Sequence, residues 1–299
     1  MKTKAYARIA SFVLMLMVTL TSCEKFALEE QGGKSTNKAN ANVTVNVQKV
    51  EGRVFTRATK ADNAKQLKDV CSRITFAVFD GEEKLTSKSQ TSDDSDFGTC
   101  HFSLDDGEYR LVVIAHNGAG NCTISAPEKV KFYKNKMTDT FYYYGRLSVN
   151  ENGTVANIDM KRAVAAFHLH ITDDNLPQEV KSIKFYYLGG SSTLDATTGY
   201  GCVSSRQTET FNFTETSRDF TVYTCPHEEE KDINMTISIL DPDAKVIKSY
   251  QKTDFQMKRN TITKAEISLQ KGDIGGDSKD DDIGFTVDDE WGEENVIYF

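Results

Sequence analysis

The sequence predicts an all-β protein built from two β-sandwiches. Apolar residues recur at every second position in many short segments, as in "NVTVNVQ" (42–48), where Val43, Val45 and Val47 share one face of a strand. Pieces rich in Gly, Asn, Asp and Pro separate these segments and predict turns. The 299-residue chain is long enough to bury two cores.

The predicted strands follow one another along most of the chain, and one short helix is expected over 62–70 ("DNAKQLKDV"). The run "EYRLVVIAHN" (108–117) is apolar at consecutive positions, which is typical of a central strand. We place the seam between the sandwiches near "NIDMKRA" (157–163), so that they cover residues 42–160 and 161–270. The other predicted strands are 73–80, 140–149, 164–173, 181–188, 220–224, 234–241 and 261–269.

Residues 1–22 have the features of a lipoprotein signal peptide. Three basic residues precede an apolar stretch over 9–20, which is shorter than the roughly 20 residues that a membrane-spanning helix needs. The following "LTSC" (20–23) is typical of a bacterial lipobox, so we expect Cys23 to carry the lipid and to begin the mature protein. The alternative is an ordinary secretory signal with an incidental cysteine. If Cys23 carries the lipid, residues 23–41 form a flexible tether to the outer membrane.

The negative charge of the chain is concentrated at its C-terminal end. The whole chain has a formal net charge of −8, and residues 271–299 alone contain two lysines against ten acids. No basic footprint of the kind that binds nucleic acid is present. The closing "IGFTVDDEWGEENVIYF" (283–299) is nevertheless strand-like, because Phe285 and Val287 alternate with Thr286 and the last four residues are apolar.

Motifs for catalysis or cofactor binding are not found in the sequence, so we predict no enzyme activity, no cofactor and no metal. His168 and His170 share one face of a predicted strand and are the best candidates for a metal pair; the alternative is a solvated or interface face. The acid-rich "SDDSDFG" (92–98) lacks the spacing of a calcium loop.

Two further features leave alternatives open. The aromatic run "FYYYG" (141–145) is either a platform on which sugars stack or a strand with core on one face. The cysteines beyond Cys23 match no metal or redox spacing, and each is expected either in a disulfide or free and buried. They are Cys71, Cys100, Cys122, Cys202 and Cys225.

Several segments, in this order, resemble the fimbrillin-type pilus subunits of Bacteroidales. They are the lipobox, "FTRAT" (55–59), "ITFAVFD…LDDGEYRLVVIAHN" (74–117), "MKRAVAAFHLHITD" (160–173), "GYGCVSSRQ" (199–207), "VYTCP" (222–226), "MTISILDPDAKVI" (235–247) and "MKRNTITKAEISL" (257–269). The similarity is to the anchor and accessory branch of type V pili. It implies two tandem transthyretin-like β-sandwich domains, export as an outer-membrane lipoprotein, and assembly by strand exchange without enzyme activity or cofactor.

The resemblance also implies a processing step. In polymerising members a surface protease cuts after an arginine and removes the first strand, which opens a groove for a neighbour's strand. Arg57 is the candidate site here and Arg53 is a second one. The alternative is a plain linker arginine, since an anchor must keep its lipid.

The acidic segment 271–299 is interpreted as a linker followed by a donor strand or docking segment. The alternative is a last strand that folds back on the chain's own sandwich. The candidate donor residues are Phe285, Val287, Trp291, Val296, Ile297, Tyr298 and Phe299.

We therefore expect a surface-exposed lipoprotein of the outer membrane that anchors, regulates or builds a fimbrium and contributes to adhesion. The expected partners are other fimbrial subunits, the outer membrane through the lipid, and a host surface protein or glycan; nucleic acid is not expected. The alternative function is a glycan-binding surface lipoprotein of a nutrient-uptake system. The sequence leaves the position in the fimbrium (anchor, stalk or tip) and the host ligand open.

Overall fold

The structure is a computed structural model that describes residues 41–51, 53–54, 66–229, 231–269 and 285–288. Within these ranges the regular elements are strands and two short 3-10 turns, which confirms the all-β prediction. No described helix is long and apolar enough to cross a membrane. The strands are β1 (Val43–Val50), β2 (Arg53–Val54), β3 (Arg73–Asp80), β4 (Glu83–Thr91), β5 (Thr99–Phe102), β6 (Gly107–His116), β7 (Thr123–Ala126), β8 (Lys129–Lys131), β9 (Thr140–Val149), β10 (Thr154–Arg162), β11 (Ala165–Ile171), β12 (Ser182–Leu188), β13 (Thr193–Asp195), β14 (Tyr200–Gly201), β15 (Gln207–Asn212), β16 (Asp219–Thr224), β17 (Ile233–Leu240), β18 (Val246–Phe255), β19 (Ile262–Ile267) and β20 (Phe285–Asp288).

The first part of the chain forms an eight-stranded sheet in the order β2-β1-β10-β9-β6-β3-β4, with β5 also paired to β1. The pairing of β1 with β10 is parallel, and the other pairs are antiparallel. Side chains of β4 reach across to β5: Lys88 donates to the carbonyl of His101 (2.6 Å) and Gln90 to that of Thr99 (2.7 Å). The sheet thus curls around a first core, which includes Val45, Phe76, Leu111, Phe141 and Ile158.

The second part of the chain forms two four-stranded sheets that face each other. Their orders are β16-β11-β19-β20 and β15-β12-β17-β18. Alternate residues of the facing strands fill a second core, as the edge-to-face contact of Phe167 on β11 with Phe185 on β12 illustrates (ring centroids 6.3 Å apart). This arrangement is a β-sandwich.

A third core lies on the outer face of β3, β6 and β9. Successive residues of β6 point to opposite faces, so that Val113 enters the first core while Val112 and Ile114 enter the third. The third core is covered by Val130 of β8 and Leu194 of β13, two strands that pair with each other. They belong to a small sheet, β14-β13-β8-β7, to which both parts of the chain contribute. Because a sheet and a core are shared, the two parts pack against each other directly.

The structure differs from the sequence-based element predictions at several places. The stretch predicted as helix is described only from residue 66, where it holds one 3-10 turn, Leu67–Asp69. The polar strands β4 and β15 were not predicted, because they have little apolar alternation. The chain passes from β10 to β11 through Ala163 and Val164, at the end of the predicted seam. The division into two domains at this seam remains our proposal.

Candidate assembly interface

The strand that the resemblance singles out for removal, β1, is paired along both of its edges. It runs parallel to β10 from Val43 (opposite Thr154) to Val50 (opposite Met160). On its other edge β5 pairs with the first half of β1, and β2 pairs with Lys49 and Val50. The side chains of Val43, Val45 and Val50 are fully buried. Loss of β1 would therefore expose the first core between two unpaired strand edges.

Polar side chains on the other face of β1 connect it to both neighbours. Asn46 donates to Asn157 of β10 (3.1 Å) and accepts from Thr99 of β5 (3.1 Å). At the start of the strand, the Asn42 side chain donates to the carbonyl of Leu104 (2.6 Å) and accepts from its amide (3.0 Å). These bonds hold the start of β1 against its neighbours.

The candidate processing sites lie just after β1. Arg53 begins β2, and its backbone pairs with Val50 of β1. Arg57 lies outside the described residues. Since a protease needs an unpaired segment of backbone, the pairing of β2 disfavours cleavage after Arg53.

The C-terminal candidate donor segment is described over β20 alone. Its backbone pairs antiparallel with β19, from Phe285 opposite Ala265 to Asp288 opposite Ile262. At these four residues the chain thus adopts the fold-back alternative, and β20 forms the last strand of its sheet. The remaining candidate donor residues lie outside the described part of the chain. They are Trp291, Val296, Ile297, Tyr298 and Phe299.

The two candidate metal ligands lie on the outer face of β11, opposite the second core. His168 Nε2 and His170 Nδ1 lie 3.2 Å and 2.8 Å from the same oxygen, Asp219 Oδ1 of β16. Burial lowers the pKa of His168, and Asp219 partly offsets this effect. Among the described residues no group of three or more His, Cys, Asp or Glu side chains has the arrangement of a metal site. The pair thus makes cross-strand polar contacts on this face.

The aromatic run of β9 is split between two cores. Phe141 is fully buried in the first core and Tyr143 packs against it, whereas Tyr142 is buried in the third core and Tyr144 packs against that one. An exposed platform for sugars is therefore not formed by this run.

The cysteines of the described residues are all free, and Cys202 alone among them is exposed. Burial raises the pKa of Cys71 and of Cys100 to about 12. Buried thiols of this kind stay protonated and are poor nucleophiles. They behave as apolar core residues.

A polar cluster joins the first sheet to the second part of the chain at Arg162. This buried side chain forms a bidentate pair with Asp139, with Nε to Oδ1 at 2.8 Å and Nη2 to Oδ2 at 3.1 Å. It also donates to Asn260 (2.9 Å), and its guanidinium lies 4.7 Å from the ring centre of Phe141. Nearby, Arg259 of the second part donates to the Tyr142 hydroxyl (2.8 Å). Sequence patterns do not indicate this cluster, because its members are far apart along the chain.

The described residues thus form an all-β, β-sandwich protein, and its candidate assembly sites are strand edges. The sequence matches the family of fimbrillin-A associated anchor proteins Mfa1 and Mfa2 over residues 34–297. Because the match covers most of the chain, the protein belongs to this family. It is accordingly a fimbrial subunit of the anchor or accessory class, which is a structural and not an enzymatic class, and it associates with a cell-surface fimbrium and its subunits.

Several solved structures of bacterial proteins match this chain at low sequence identity. The fimbrial anchor protein Mfa2 from Porphyromonas gingivalis has 11% identity and a TM-score of 0.40, with 75% of this chain and 89% of that chain covered. A protein provisionally named as an adhesin, from Bacteroides ovatus, has 12% identity and a TM-score of 0.47, with 84% and 99% covered. A protein provisionally named as polysaccharide-binding, from Bacteroides thetaiotaomicron, has 9% identity and a TM-score of 0.47, with 77% and 92% covered. A search of curated proteins finds no match. All three scores are below 0.5, so the family match carries the assignment.

Proposed function

We propose that this chain is a lipid-anchored accessory subunit of a fimbrium, exposed on the outer membrane, that joins a neighbouring subunit by β-strand pairing and contributes to adhesion. The lipid is carried by Cys23, and residues 23–41 link it to β1. The observation that carries the proposal is the position of β1, which follows this tether directly and is paired along both edges. In such an arrangement, keeping or removing one strand decides whether the first sandwich can accept a strand from a neighbour.

The C-terminal segment supports the strand-pairing part of the proposal by its sequence pattern. Ile283, Phe285 and Val287 alternate with Gly284 and Thr286. The same period of two places the valines of β1 in the first core. The acids that follow Val287 would oppose self-aggregation until a matching groove is met. We infer that this segment leaves β19 and pairs with the neighbouring subunit.

The anchoring part is tested by the intact mass and the N-terminal residue of the protein taken from its native cell surface. A lipidated start at Cys23 is expected for an anchor or accessory subunit. A start at Ala58 would show cleavage after Arg57 and would replace this proposal with a protease-matured, polymerising subunit.

The strand-pairing part is tested by the ladder of SDS-resistant assemblies in surface extracts. Deletion of residues 283–299 is expected to abolish the bands that contain this chain, and the pair of changes Phe285→Ser and Val287→Ser should do the same. The matched control Thr286→Ser, at the polar position between the two apolar ones in the sequence, should leave the ladder intact. An unchanged ladder in the deletion variant would mean that the segment is not the donor.

A further inference from the structure

A row of lysines lies along β8 and the turn after it. In residues 129–136, "KVKFYKNK", four of the eight residues are lysine and none is acidic. Lys129 and Lys131 are exposed on either side of the buried Val130, so they project from the same side of the strand. Lys134 is exposed on the following turn. We call Lys129, Lys131 and Lys134 the lysine row.

Among the described residues the lysine row makes no direct ion pair, and the adjacent Glu128 pairs with Arg110 instead (3.7 Å). Lys136, the fourth lysine of the segment, forms an ion pair with Glu209. By contrast, no member of the row forms an ion pair with a carboxylate of the described residues. Lys84 of β4 adds a further positive charge nearby, since its Nζ donates to the carbonyl of Ile124 on β7, the strand paired with β8 (3.2 Å).

The turn that carries Lys134 is held in one conformation. Lys134 and Asn135 have φ values of 53° and 56°, in the left-handed region that residues other than glycine adopt at a cost. The buried side chains of Phe132 and Met137 hold the turn on both sides. The Lys134 ammonium lies 5.3 Å from the ring centre of Tyr133. A charge that is already positioned loses less conformational entropy when it binds a ligand.

We propose that the lysine row is a binding site for a linear polyanionic glycan, a polysaccharide that carries sulfate or carboxylate groups. Lysines spaced along β8 and the turn after it complement the regular charges of such a chain. Tyr133 is 50% exposed and places an aromatic ring beside the charges, against which a sugar ring can pack. The ring favours a ligand that contains sugar rings over a single phosphate group. The inference gives a ligand class to the adhesive role and in that respect rests on the proposed function.

Heparin, as a sulfated polysaccharide, is the probe that tests the site with the full mature chain. We expect the protein to bind immobilised heparin at low salt and to lose binding as sodium chloride rises, because salt screens the charges. The triple variant Lys129→Gln, Lys131→Gln, Lys134→Gln should bind at least tenfold more weakly. The matched control Lys68→Gln, Lys161→Gln, Lys245→Gln removes the same charge from exposed positions elsewhere and should bind as the wild type does. The circular dichroism spectra of both variants should equal that of the wild type.

Three outcomes would overturn the inference. Equal losses in both triple variants would show an effect of net charge without a site. Binding to vesicles with anionic lipids but not to heparin would make the lysine row a membrane contact. Self-association at low salt that disappears in the Lys129, Lys131, Lys134 variant would make it a contact between copies of this chain. Incorporation into SDS-resistant assemblies is a separate measurement, so a failure of glycan binding and a failure of the proposed function are distinguishable.

Discussion

The Arg162 cluster gives the sharpest test of how the two parts of the chain are held together. In the variant Arg162→Met, the Asp139 carboxylate, whose side chain is only 19% exposed, loses its bidentate partner. Removing one member of a buried ion pair costs about 3–5 kcal/mol, since the remaining charge is left unpaired. The cation–π contact with Phe141 and the bond to Asn260 are lost as well. We expect the free energy of unfolding to fall by about 3–4 kcal/mol.

The assay is urea denaturation followed by circular dichroism, with linear extrapolation to water. The control is Arg146→Met, because Arg146 is 80% exposed and its pair with Glu108 should contribute less than about 1 kcal/mol. The double variant Arg162→Met, Asp139→Leu removes both charges and should recover at least half of the loss. The reasoning is refuted if Arg162→Met costs no more than Arg146→Met, or if the double variant is no more stable than Arg162→Met.

Three further predictions follow from burial. Val45→Ala in β1 should lower the free energy of unfolding by about 2 kcal/mol, since the side chain is fully buried. The control Val155→Ala on the adjacent β10, where the side chain is 67% exposed, should change it by less than about 0.5 kcal/mol. Similar urea midpoints in the two variants would contradict this. Burial, and secondarily Arg73, lowers the pKa of His116 to about 4, so below pH 6.5 the unfolded chain binds the proton first. The free energy of unfolding that neutral His116 contributes is therefore complete above pH 6.5 and falls by about 2 kcal/mol between pH 7 and pH 5. The variant His116→Leu should not show this fall, and equal losses in variant and wild type would disprove the prediction. In protein that starts after Cys23, thiol titration of the native state should detect Cys202 alone, and unfolding should expose four more thiols. The variant Cys202→Ser should show no reactive thiol in the native state. Several reactive thiols in the native wild type would contradict the buried placement of the other cysteines.

Apolar patterns in the sequence predicted strands such as β1 and β6, whereas the mostly polar strand β4 was missed. In β1, Val43, Val45 and Val47 alternate with polar residues, and the structure buries these valines in the first core. In β4, "EKLTSKSQT" carries almost no apolar alternation, because one strand edge and most of its side chains face solvent. Its strand conformation comes from pairing with β3, a contact that local periodicity does not record.

The third core could be predicted from the sequence only in part. The consecutive apolar residues of β6 indicate a strand covered on both faces, and the structure covers both. The pattern does not say what covers the second face, and the cover includes β13, some eighty residues further along the chain. The Arg162 cluster has the same origin, since Asp139, Arg162 and Asn260 meet only in the folded state. Non-local contacts of this kind account for what the sequence left undecided about the candidate sites.

The position of β1 also bears on where this subunit sits in a fimbrium. While β1 is covalently part of the chain, both edges that would receive a foreign strand, β10 and β5, are occupied. A replacement strand would have to bury apolar side chains where Val43, Val45 and Val50 now lie, since an open groove would leave the first core in water. A subunit that keeps Cys23 and β1 together can therefore donate a strand but not accept one in the first sandwich. Such a subunit ends a chain of strand exchange, and an end that carries a lipid is what an anchor requires.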